Sequence, residues 1–109
     1  MVNNEKLDEI LLDLGFSENT RGTEFLRDAV ENYAPGQSVT RDIYGRSAKK
    51  FGTTGTAVER NIRHAIEKAF TRSSGVVMMR TFGYSLNPDT GRPTNSECIS
   101  RLWRVCRAD

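Results

Sequence analysis

Apolar residues recur at helical spacing along most of the chain. In EKLDEILLDLG, Leu7, Ile10, Leu11 and Leu14 fall on one stripe of a predicted helix that stops at Gly15, because positions three and four apart share a helix face. GTEFLRDAVENYAPG repeats the pattern with Phe25, Leu26, Ala29, Val30 and Tyr33, and ends at Pro35 and Gly36. A third helix is predicted from near Thr40, through Ile43, Tyr44 and Ala48, to Phe51; Gly45 weakens it without forbidding it. A fourth runs from about Thr54 to Thr71, with Val58, Ile62, Ala65, Ile66 and Ala69 on its inner face. VVMMRTFGYSL fits either a short buried helix or a strand, since its apolar residues do not settle the period. NPDTGRP is turn chemistry, and the last helix opens at TNSE. There Thr94 and Glu97 fit a capping box, and Ile99, Leu102, Trp103 and Cys106 face inward.

No repeat, low-complexity run or linker breaks this series, and 109 residues suit one domain over residues 1–109. A composition of 37% hydrophobic and 28% charged residues excludes a disordered tail. No apolar run is long enough to span a bilayer, and MVNNEKLDE lacks the features of a signal peptide, so a cytoplasmic protein without membrane contact is expected. Cys98 and Cys106 stand eight residues apart in one predicted helix, too far for a disulfide. They read as reduced, partly buried thiols. Two cysteines and the lone His64 supply no metal-ligand spacing, and no triad or cofactor site is visible. Neither a metal, a cofactor nor catalysis is expected.

The net charge of +2 is unevenly spread. Residues 1–39 carry three bases against eight acids, a net of −5, whereas residues 40–72 carry eight bases against three acids, a net of +5. A basic block in a nearly neutral chain fits either a nucleic-acid face or a solvated helical surface.

Within that block, SAKKFGTTGTAVERNIRHAIEKAF has the parts of a helix-turn-helix, placed at about residues 40–71. Ala48 is the small residue where the second helix crosses, Gly52 tolerates positive φ in the turn, and Val58 is the apolar anchor. With Val58, Ile62 and Ile66 inward, Thr56, Glu59, Arg60 and Arg63 point outward. Each arginine can bind guanine O6 and N7 in the major groove, and Glu59 can accept from cytosine N4. His64 sits beside these base-reading candidates. Lys49 and Lys50, with Thr54 and Thr56 at the start of the fourth helix, are the candidate phosphate contacts. Competing readings exist for several of them. Thr56 and Glu59 have capping-box spacing, and Arg63 with Glu67 has the spacing of an exposed ion pair. FGTTGTAV also satisfies the GxxG clamp of KH domains, which grip single-stranded nucleic acid. A helical protein-interaction module with an acidic partner is the third alternative.

AKKFGTTGTAVERNIRHAIEKAF, followed by FGYSLN and RPTNSECIS, resembles the C-terminal effector domain of the sporulation master response regulator of endospore-forming bacteria. There the pattern is A-K-K-F-x-T-T-x-x-x-V-E-R-x-I-R-H-A-I-E, then F-G-Y, then K-P-T-N-S-E-F-I. The resemblance covers essentially the whole chain. It implies an all-α, six-helix bundle-like domain whose third and fourth helices form the helix-turn-helix, and it makes residues 76–83 the fifth helix. It further implies binding of double-stranded DNA at short directly repeated boxes, head-to-tail pairing on DNA, and contact with the RNA polymerase sigma factor. At matching positions it makes Glu59, Arg60 and Arg63 base readers with His64 beside them, and puts Lys49 and Lys50 near phosphates. The chain departs from the family at Ala57, where the best-known members carry a base, and in having no receiver domain ahead of it. Either an excised effector domain or a stand-alone relative would fit that departure.

Overall fold

The computed structural model describes residues 2–73, 75–83, 86–87 and 89–108. Six α-helices follow one another among the described residues: α1 Asn4–Asp13, α2 Arg21–Asn32, α3 Tyr44–Phe51, α4 Gly55–Arg72, α5 Gly75–Phe82 and α6 Asn95–Cys106. No strand occurs among the described residues, so the sheet that a KH clamp needs is not there. The segment that the apolar pattern left between helix and strand is helical over Gly75–Phe82, while Tyr84, Ser85 and Pro88 of FGYSL and NPDTGRP lie outside the described residues.

Side chains cap the helix starts where the sequence offers a hydroxyl or amide. Asn3 accepts from the Lys6 amide, Thr20 from that of Thr23, and Thr54 from that of Ala57, each satisfying one amide that has no partner within the helix. At α6 the capping box forms in full, with Thr94 and Glu97 bonded reciprocally. The third helix differs from its prediction. Its first turn, predicted from near Thr40, lies in a π turn over Val39–Ile43, with Ser38 accepting from the Arg41 amide, and regular α-helix begins at Tyr44.

The core lies where the stripes meet. Leu7, Leu14, Leu26, Val58, Ile62 and Leu102 are wholly buried, and α2 packs on α4, α3 and α6, with α1, α4 and α5 also lying against α6. Trp103 is only half-buried, its ring edge-on to Tyr33 at 5.5 Å. Where α2 crosses α4 the backbones come so close that only glycine fits. A Cβ on Gly22 would stand 2.4 Å from the Asn61 carbonyl oxygen and 2.7 Å from the Ala65 methyl. The ends of the chain meet as well, the Asn3 amide donating to the Cys106 carbonyl at 2.8 Å. Cys98 and Cys106 are free and buried. No helix among the described residues is long and apolar enough to cross a membrane.

Candidate nucleic-acid interface

The turn between α3 and α4 spans Gly52 to Thr54. Gly52 ends α3 with φ 65° and ψ 41°, a left-handed conformation costly for any residue with a side chain, and the Ala48 carbonyl accepts the Gly52 and Thr53 amides. The chain then extends for one residue, Thr54 at φ −110° and ψ 156°, and α4 begins. Ala48 and Val58 are buried, so the small residue, the turn and the anchor occupy their predicted places.

The cap position removes one reading of Glu59. Because Thr54 caps α4, the residue three further on is Ala57, and Thr56 is already inside the helix. Thr56 and Glu59 therefore form no capping box. Glu59 instead pairs with Arg63 one turn along α4. The alternative Arg63–Glu67 pair does not form either, since Glu67 meets Arg92 at 3.5 Å, which ties α4 to the segment before α6.

α4 presents Thr56, Arg60, Arg63 and His64 to solvent, and Thr54 is exposed at its cap. Among the described residues, Arg60, His64 and Lys49 have no ion-pair partner. Lys50 does. Its ammonium lies 2.8 Å from Asp28 of α2, a carboxylate only 4% exposed. That hydrogen bond, and then the charge behind it, raise the Lys50 pKa above its ordinary value. Arg46, one turn before Lys49 and Lys50, is exposed on the same ridge of α3.

Beside α4 runs an open groove of about 440 Å³. Glu59, Arg63 and Glu67 line one wall, and Thr90, Arg92, Thr94 and Asn95 line the other. Asn95 fixes its floor, the side-chain amide donating to the Tyr44 hydroxyl at 3.1 Å and to the Glu59 carbonyl at 3.0 Å. One amide thus holds α3, α4 and α6 together. Burial raises the pKa of Tyr44, whose ring closes this junction.

A family profile described as sporulation initiation factor Spo0A C terminal matches residues 7–105, from α1 to the last turn of α6. The chain belongs to the Spo0A C-terminal family. The match covers nearly all of the described structure, so the helix-turn-helix sits in a DNA-binding effector domain of the sporulation response regulator type. The outward side of α4 was legible in the sequence, because helical spacing predicts which of its residues face out. Sequence reasoning missed Asp28, Arg92, Asn95 and Arg46. Asp28 carries a signal of its own, an acid set among Phe25, Leu26, Ala29 and Val30 in the apolar stripe of α2.

Proposed function

We propose that this domain reads double-stranded DNA by laying α4 in the major groove. The observation that carries the reading is the outward row Thr56, Arg60, Arg63 and His64 on a helix held by the Gly52 turn. Arg60 projects unpaired among the described residues and is free to meet guanine. Arg63 reaches its base already steadied by Glu59, whose second oxygen remains available to a cytosine amino group. Lys49, Thr54 and Thr56 meet the phosphates on the flank, with the first amides of α4 as further donors. Family membership supports DNA binding by a regulator domain; the motif resemblance extends the proposal to short directly repeated boxes, two domains head to tail, and contact with the RNA polymerase sigma factor in the cytoplasm.

Fluorescence anisotropy on a labelled duplex and on its separated strands, over a salt series, tests this. Preference for the duplex and a steep linear fall of log affinity with log salt are expected. Arg60→Ala or Arg63→Ala should cost about 1–3 kcal/mol on a preferred sequence and relax selectivity at one base pair. Equal binding to single strands refutes the reading. Salt-insensitive or absent binding would favour a protein-interaction module.

A further inference from the structure

Lys49 and Lys50 are neighbours at the end of α3, yet among the described residues only Lys50 of the two has a counter-charge. Asp28 holds it from below: Oδ1 accepts from the Lys50 ammonium at 2.8 Å, and Oδ2 accepts from the buried Ser47 hydroxyl at 2.6 Å. Both partners lie on α3, so one carboxylate of α2 fixes the first helix of the helix-turn-helix from two points. Glu24 and Glu31 stand one turn to either side of Asp28 and line the same small hollow of about 120 Å³ around Lys50 and Phe51. The Lys50 ammonium also lies 5.3 Å from the centre of the Phe51 ring, which itself packs edge-on against Phe25 of α2. Lysine is thereby drawn toward α2 by a carboxylate, two further acids and an aromatic face.

We infer that Asp28 is an internal competitor for DNA phosphate, which holds Lys50 as a positioning residue on α2 and leaves Lys49 to neutralise the backbone. The inference rests on the DNA-reading role proposed above. A phosphate near Lys50 must displace a short, charge-assisted bond already made, and must approach acids of its own sign. The acidic ridge of α2 therefore marks one edge of the electrostatic footprint. Its raised pKa agrees with an ammonium stabilised in place by Asp28.

The phosphate contribution is independent of sequence, so a mixed-sequence fluorescein-labelled duplex is a sufficient probe. Lys49→Gln should lower the slope of log affinity against log salt by about one unit, and Lys50→Gln should leave it nearly unchanged. Asp28→Asn keeps the shape and an acceptor for Ser47 but removes the charge. It should raise the slope by up to about one unit and tighten binding at low salt, although the fold loses an ion pair. That gain should vanish in the Asp28→Asn, Lys50→Gln double variant, because no lysine is left to release. A merely structural role for Asp28 predicts the opposite, a weaker binder with an unchanged slope. If Asp28→Asn does not fold by circular dichroism, the two single lysine variants still decide, since equal loss of slope at Lys49 and Lys50 overturns the inference. A wild-type chain that binds no duplex overturns the DNA reading itself, and this inference with it. A wild type that binds while the lysines behave alike overturns this inference alone.

Discussion

Replacing Gly22 by alanine adds one methyl group where the backbone of α2 runs against that of α4. Its nearest neighbours would be the Asn61 carbonyl oxygen at 2.4 Å and the Ala65 Cβ at 2.7 Å, whereas real Cβ atoms essentially never come within 3.0 Å of such atoms. Neither neighbour can swing aside, because one is helix backbone and the other has no rotamer. The α2–α4 crossing must therefore open by about 0.6 Å or more, which loosens the contacts around it. Overpacking of this kind costs about 1–3 kcal/mol, and the better helix propensity of alanine returns less than about 1 kcal/mol of that. Two contacts this short put the cost in the upper part of that range, leaving about 1–2 kcal/mol net, and at about 4–8 °C per kcal/mol for a domain near this size the melting temperature should fall by roughly 4–16 °C. Gly45→Ala is the matched control, for it is also helical but a Cβ there meets nothing within 4 Å. It should stabilise by up to about 1 kcal/mol. Thermal melts followed by circular dichroism give both values. An unchanged or raised melting temperature for Gly22→Ala would refute the claim that this crossing admits only glycine.

Three further outcomes follow from features of the same structure. Thr94→Ala removes the hydroxyl half of the α6 capping box and should cost about 1 kcal/mol in urea denaturation, with Thr54→Ala costing a similar amount at α4. Asn95→Ala breaks both of its bonds and should cost about 1–3 kcal/mol while shifting the near-ultraviolet signal of Tyr44, whereas an unshifted signal would place the junction elsewhere. Stability should decline from about pH 9 upward: burial raises Cys98, Cys106 and Tyr44, and the Asp28 hydrogen bond raises Lys50, so the native state keeps protons that the unfolded chain releases. Denaturant midpoints measured from pH 7 to 10.5 should therefore fall, and a flat profile would contradict those shifts.

Local patterns carried what local physics decides. The Thr94–Glu97 capping box was legible because its two bonds close within four residues, and the outward row of α4 because helical spacing alone generates it. Thr56–Glu59 shows where such reasoning misleads. It has the same spacing as a true box, yet the left-handed turn at Gly52 makes Thr54 the last extended residue, so the helix has begun before Thr56. The choice of partner for each charge was not legible either. Lys50 lies 22 residues from Asp28, and Arg92 lies 25 from Glu67, so these pairings exist only once α2, α3, α4 and the segment before α6 have packed. The fifth helix was open on periodicity and needed the family resemblance, because GVVMMRTF has apolar residues at spacings that suit both periods.

The bond from the Asn3 amide to the Cys106 carbonyl bears on how the molecule comes apart. Segments at the ends of a fold ordinarily fray, opening and closing many times for each global unfolding event. Here α1 cannot peel away without releasing the end of α6, and with it Val2, Leu102 and the buried thiol of Cys106. Through Asn95 the same helix grips Tyr44 and the backbone of α4. Loosening at the periphery is thereby converted into unseating of α3 and α4, and amide exchange at Asn3 should keep pace with exchange in the core.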